Sequence, residues 1–192
     1  MMLEALRSIV QAVNAAGDLQ TALDIIVSRI AEVMNTEVCT VYLRDPDSKR
    51  LIFMANQGLN PELIGKVSLG PDEGLVGLVA RREEPVNLDH AEKHPSFLYL
   101  PGIGEEQYHS FLGAPIIHQR SVMGVLVVQQ KDSRRFDEDE EAFLVTMSAQ
   151  LAGVIAHARA TGSINTAQNT VGATASFKGI AGATGVAIGQ AV

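Results

Sequence analysis

The 192-residue chain has a formal charge of −7 at neutral pH, with 46% apolar and 19% charged residues, enough apolar side chains to build a proper core. Its acidic balance argues against a nucleic-acid backbone or an anionic membrane as partner, and the single cysteine, Cys39, excludes an internal disulfide and any multi-thiolate metal site. No apolar run reaches the roughly 18 residues of a membrane span, and the opening "MMLEALRSIV" has an early Glu4 and a helical pattern instead of a signal-peptide form, so a cytoplasmic protein is expected.

Leu3, Leu6, Val10 and Val13 fall at helical spacing before Gly17 interrupts. Asp18, with Thr21 three residues on, caps a second helix whose apolar face runs through Leu19, Leu23, Ile26, Ile30 and Val33. "TEVCTVYLRD" alternates and is rich in β-branched residues, and "RLIFMANQG" returns after a proline-containing turn, so the two form a hairpin. "KVSLG" is a short extended piece, "DEGLVGLVARRE" a short helix starting near Asp72, and "EPVNL" another extended piece.

From Asp89 to Tyr108 the periodicity disappears. A loop of about twenty residues within a compact domain is usually functional or disordered. Phe97, Leu98, Tyr99 and Leu100 stand together in it, and a disordered segment rarely carries so many large apolar groups; the loop is read as folded over something. "HSFLGAPIIHQR" and "SVMGVLVVQQ" form a second hairpin, in which Val122 to Val128 is apolar on both faces and hence a central strand. "DEDE" from Asp137 to Glu140 fits a capping box for a final helix with a wide apolar face through Phe143, Leu144, Met147, Leu151, Val154 and Ile155. Beyond about residue 161 the only charged residue is Lys178, and residues 161–175 read as a polar linker.

This order of elements, with "DEGLVGLVARREEPVNL", "HPSFLYL" and "HSFLGAPIIHQRSVMGVLVVQQ", resembles a GAF domain over residues 1–160. The resemblance implies an α+β fold, a GAF-like antiparallel β-sheet with helices on both faces, acting as a sensory module that binds a small molecule or dimerises and regulates an attached domain. "TEVCTVYLRD", "FLVTMSAQLA" and the closing "GIAGATGVAIGQAV" narrow the likeness to the nitrogen-type enzyme I of the phosphotransferase system, in which a GAF domain precedes a phosphoenolpyruvate–protein phosphotransferase. On that likeness residues 176–192 are the truncated first strand of the phosphotransferase domain. A phosphate-binding loop is the other reading of these glycines, but the Gly-Lys-Ser/Thr of a Walker loop is absent. The family's phosphate-carrying histidine motif, its arginines and its magnesium-binding acids are not found before Val192. The chain itself is therefore expected to have no phosphotransferase activity, no catalytic residue, no metal site and no cofactor.

Several tempting groups have plainer readings. His90 and His94 are four apart, but no Glu follows the first and Pro95 follows the second, so they read as loop histidines near a turn and not as a zinc pair. Cys39 in an alternating strand reads as a buried thiol. Gln130, Lys131, Phe136, Glu140 and Glu141 are similar to a cyclic-nucleotide GAF pattern with two identities changed; a tether from Lys131 to an acid of the last helix is the preferred reading.

The expected ligand pocket lies between the sheet and the Asp89–Tyr108 loop. Its candidate residues are Tyr42, Met54 and Val76 from the core elements, Asp89, Phe97, Tyr99 and Tyr108 from the loop, and Ser110 and Phe111 from the strand that follows, a few polar groups around an apolar space. The Phe97–Leu100 cluster reads equally as a patch sealing the core. The family likeness implies a nitrogen-status effector, glutamine or 2-oxoglutarate, and a phosphocarrier protein as partner of the full protein. A dicarboxylate would favour a cationic partner, and the loop offers only Lys93. The alternative is a ligand-free dimerisation and signal-relay module. A homodimer through the first and last helices is expected on either reading.

Overall fold

The computed structural model describes residues 2–161. Six strands form one antiparallel sheet in the order β3-β2-β1-β6-β5-β4. They are β1 (Val38–Arg44), β2 (Leu51–Gln57), β3 (Ser68–Leu69), β4 (Val86–Leu88), β5 (Ser110–His118) and β6 (Ser121–Gln130). Both hairpins legible in the sequence are present, β1 with β2 and β5 with β6. The strand apolar on both faces, β6, lies in the middle of the sheet between β1 and β5, as its pattern requires.

Three helices cover one face: α1 (Met2–Ala15), α2 (Leu19–Met34) and α4 (Glu138–Ala160). Their apolar residues Leu23, Ile26, Ile30, Leu144, Met147, Leu151 and Ile155 pack with Cys39, Val41, Leu112, Ala114, Leu126 and Val128 of the sheet into one core. The fourth helix, α3 (Gly74–Arg82), lies on the opposite face, where Leu75, Val76 and Val79 join Tyr42, Phe53, Phe111, Val125 and Val127 in a second core. The fold is thus α+β, with helices on both faces of the sheet.

Caps fix the helix starts. The Asp18 carboxylate accepts the Thr21 N–H at 2.8 Å and its hydroxyl at 2.9 Å. At α4 the capping box closes in both directions, the Asp137 side chain accepting Glu140 N–H at 2.8 Å and the Glu140 side chain accepting Asp137 N–H at 3.1 Å. At 23 residues α4 is long and on average apolar enough to cross a bilayer, although Thr146, Ser148 and Gln150 interrupt its apolar run. Four acids stand in its first turn, and it packs along the sheet, with Leu144, Leu151 and Ile155 buried. This is what a core helix of a sheet-based domain looks like.

Leu3, read as part of the apolar stripe of α1, is 70% exposed; Ile9 and Val13 are the residues of that helix that reach the core. The tether from the β6 end to α4 is made by Arg134 and not by Lys131. The Arg134 guanidinium donates to both Glu140 oxygens at 2.8 Å and lies 4.6 Å from the Phe136 ring centre. A planar fork suits a carboxylate better than an ammonium does, and that bond first of all holds the Glu140 carboxyl below its usual range. The linker and phosphotransferase strand expected after Thr161 lie outside the described residues.

Candidate functional site

The Asp89–Tyr108 segment crosses the α3 face of the sheet. It is built from two single-turn helices, Ala91–Lys93 and Glu105–Gln107, joined by an irregular stretch that includes Phe97 to Leu100. Its ends are pinned by backbone bonds, Ala91 N–H to His109 C=O at 2.8 Å and His109 N–H to Gln130 C=O at 3.1 Å. Ile103, at the turn between them, is buried in the α3-side core. The segment therefore acts as a lid fastened at both ends.

Under the lid is a cavity of about 20 Å³, enough for one water-sized species. Its floor is Tyr42 of β1, Phe111 of β5 and Gln129 of β6; Leu69, Gly74 and Leu75 form one wall; Phe97, Leu98, Leu100 and Glu105 come from the lid. The polar groups at this cavity are unusual. Gln129 is only 4% exposed, and its side-chain amide makes no hydrogen bond to a described residue. Glu105 is half-buried, with no cationic partner among the described residues, and burial first, then the neighbouring Glu106, pushes its carboxyl up to about 7. Burial and the Glu105 charge together push the Tyr42 phenol well above its usual range. Buried polar groups normally find partners inside the protein; here two buried ones, Gln129 and Tyr42, meet the half-buried Glu105 at one space.

Close packing around this space depends on two glycines of the hairpin. A Cβ on Gly113 would stand 2.8 Å from the Val79 side chain of α3 and 2.9 Å from the Phe111 ring, so the bare backbone lets α3 sit down on β5 beside the cavity. A Cβ on Gly124 would lie 2.1 Å from the Tyr42 carbonyl oxygen, where β1 changes register between Val41 and Tyr42 against β2. This gives a physical meaning to the glycines in "FLGAPI" and "GVLVVQ".

The structure gathers some of the sequence candidates and separates others. Tyr42, Phe97 and Phe111 line the cavity. Val76 and Tyr108 belong to the same core but pack behind it. Met54 is on the other face, in the core beneath the helices, because the β2 residue that shares the Tyr42 face is Phe53, its cross-strand neighbour at 5.5 Å between ring centres. Asp89 is exposed and sits 3.4 Å from His90; Tyr99 is 54% exposed on the outside of the lid. Ser110 is fully buried but faces away from the cavity. Its hydroxyl accepts the Arg134 N–H at 2.8 Å and meets the carbonyls of Asp132 and Arg134, so it holds the β6–α4 connection. Glu105 and Gln129, which no motif marks in the sequence, also line the cavity.

The other marked groups are structural. Cys39 is wholly buried, and desolvation pushes its thiol up. His94 Nδ1 accepts the Ser96 N–H at 3.0 Å within the lid. A separate groove of about 470 Å³ runs between α1, α2 and α4, lined by Ile9, Val13, Val154 and His157 among others.

A six-stranded antiparallel sheet with helices on both faces and a loop crossing the α3 face defines the α+β class of the GAF-like fold. The chain belongs to the GAF domain family, whose model matches residues 18–155. More particularly, it is a GAF domain of the kind carried by phosphoenolpyruvate–protein phosphotransferases. The GAF domain of such a protein from Coxiella burnetii superposes with a TM-score of 0.81 at 48% identity, over 84% of this chain and 96% of that one. The corresponding Acinetobacter domain gives 0.78 at 51% identity, over 85% and 98%. Over 185 residues the chain is 46% identical to the "Phosphoenolpyruvate-dependent phosphotransferase system" protein of Salmonella typhimurium, covering 96% of this chain and 25% of that relative. The chain thus spans about a quarter of the length of that curated relative.

Proposed function

We propose that this GAF domain is a regulatory sensor: it binds a small molecule beneath the Asp89–Tyr108 lid and thereby controls a phosphoenolpyruvate–protein phosphotransferase carried on the same polypeptide. The observation that carries the reading is the convergence of Gln129, Tyr42 and Glu105, without described hydrogen-bond partners, on one small apolar space beneath the lid. A ligand or ordered water satisfies such groups, and a few polar groups in an apolar cage are the usual construction of a small-molecule site. Nitrogen-linked effectors, glutamine or 2-oxoglutarate, are the ligands to try first, given the similarity to the phosphotransferase-system relatives. Because the cavity is small, a metabolite of that size enters only if the lid lifts, moving Phe97 and Leu100. Lid and output are joined through chain: the strand after the lid, β5, is fastened by Ser110 to the β6–α4 connection, and α4 runs to Ala160. A ligand shifts the attached enzyme only by its different affinity for two such arrangements. A cytoplasmic location and a phosphocarrier protein as phosphate acceptor belong to the same proposal.

A second reading rests on α1 and the groove beside it. Met2 and Leu3 are exposed, and the groove opens between α1 and α4; pairing of these helices in a homodimer would cover both. The deciding experiment uses a protein of the relatives' full length. Phosphotransfer to the phosphocarrier protein is measured with and without L-glutamine and 2-oxoglutarate, in wild type and Phe97→Ala. An effector response that Phe97→Ala abolishes, at an unchanged basal rate, supports the sensor; no response to either compound, with dimerisation intact, favours the relay.

A further inference from the structure

The chemistry of the cavity says more about its ligand than its position does. Glu105 is the single charged side chain among the residues lining it, and no described cation neutralises it. The Gln129 amide offers a carbonyl acceptor, the Tyr42 hydroxyl another, and Tyr42, Phe97 and Phe111 supply aromatic walls. A carboxylate, neutral oxygen acceptors and aromatic rings around a water-sized space are what recognises an ammonium group: four tetrahedral bonds from nitrogen, a positive charge, and attraction to ring faces. A carboxylate ligand meets the opposite field, since it would be desolvated against Glu105 with no cation at hand.

We propose that the cavity under the lid is an ammonium-recognition site, in which Glu105 pairs with the N–H⁺ group and Gln129 and Tyr42 accept its remaining hydrogen bonds. The inference rests on the sensing reading above. The ammonium comes from one of two sources: the free ion, which fits the space as it stands, or the amino group of a small metabolite whose remainder lifts the lid. Of the two effectors named above, the dicarboxylate 2-oxoglutarate is thereby disfavoured against an amine in this cavity. The proton balance follows. The groups facing Glu105 are Glu106 on its own turn and the Tyr42 phenol from β1; the lining residues contributed by α3, β5 and β6 are uncharged. A cation therefore binds the ionised carboxylate and draws off the proton that burial retains, so binding strengthens as pH rises through about 7.

The test is thermal unfolding of this chain in ammonium chloride against sodium and potassium chloride at matched ionic strength, with methylammonium chloride, L-glutamine and 2-oxoglutarate as further arms. Above neutral pH, ammonium or an amine should stabilise the wild type beyond sodium and potassium, and Glu105→Gln should weaken that binding about tenfold to a hundredfold. An advantage for ammonium alone assigns the free ion; a larger effect of L-glutamine or methylammonium assigns the amino group of a larger molecule. The carboxyl-carbon resonance of Glu105 gives a second reading that needs no variant: its titration midpoint should fall in ammonium and stay in sodium. Potassium matching ammonium would overturn the recognition of N–H donors. Stabilisation by 2-oxoglutarate but by no amine would overturn this inference and leave the sensing reading standing. No response to any arm, with the Glu105 midpoint unmoved, would remove both.

Discussion

Asn87→Ala should separate the lid side of the sheet from the start of α4. Asn87 lies in β4, and its side-chain amide is almost fully buried. It donates to the Phe136 carbonyl at 2.8 Å and to the Glu141 carboxylate at 3.1 Å, and accepts the Phe136 N–H at 3.1 Å. The two backbone bonds are neutral, worth about 1 kcal/mol each, and the third involves a charge but is partly open to solvent. Deleting the amide also leaves the buried N–H and C=O of Phe136 without partners. Together these cost about 3 kcal/mol, which for a domain of this size lowers the melting temperature by roughly 6–12 °C. Asn87→Asp keeps the acceptor for Phe136 N–H, loses both donors and faces Glu141 with a second carboxylate, so it should be no better than alanine at neutral pH and recover part of the loss in acid. Calorimetry of the three proteins checks this. A loss below about 1 kcal/mol for Asn87→Ala would mean that β4 is not anchored through Phe136 and that the reasoning fails.

Other outcomes follow from the same geometry. Because the Glu105 carboxyl is raised in the folded state, the native protein holds a proton that the unfolded chain releases; stability should therefore fall as pH rises from the ordinary glutamate range to about 7, and Glu105→Gln should flatten that segment of the stability–pH curve. Gly124→Ala places a Cβ 2.1 Å from the Tyr42 carbonyl oxygen, against β1 backbone that has no flexible side chain to give way, and should cost about 3 kcal/mol in urea unfolding. Cys39, buried with its thiol pushed up, should react with a thiol reagent only as fast as the domain unfolds, so labelling at the rate of a free thiol under native conditions would contradict its placement.

Much of this architecture is legible in the sequence, because it rests on local signals. Asp18 and Asp137 announce their helices by side-chain chemistry at fixed offsets, and both hairpins show in alternating runs around turns. The loop from Asp89 betrays itself by carrying large apolar groups without a period. The site was harder to read because it depends on strand parity. Ser110 and Phe111 are adjacent in one strand and so face opposite sides of the sheet; they cannot both line one cavity. The same rule moves Met54 away from Tyr42, since a strand buried on both faces gives no polar residue to mark its direction. Gln129 was findable, being two and four residues from Val127 and Val125 on the cavity face. Glu105 was not, because an acid in a loop reads as solvated until its neighbours are known. Arg134 displaced Lys131 for a similar reason: which cation meets Glu140 depends on how the chain turns after β6.

The central claim is that a small molecule binds beneath the lid. Backbone amide chemical-shift mapping of this chain during titration with L-glutamine, ammonium chloride and 2-oxoglutarate tests it most directly. The account predicts saturable shifts from at least one of them, concentrated at Phe97, Glu105, Phe111 and Gln129, with smaller changes passing through Ser110 to Arg134 and the first turn of α4. Shifts confined to Val13, Val154 and His157 beside the α1–α4 groove, or none from any of the three, would contradict it.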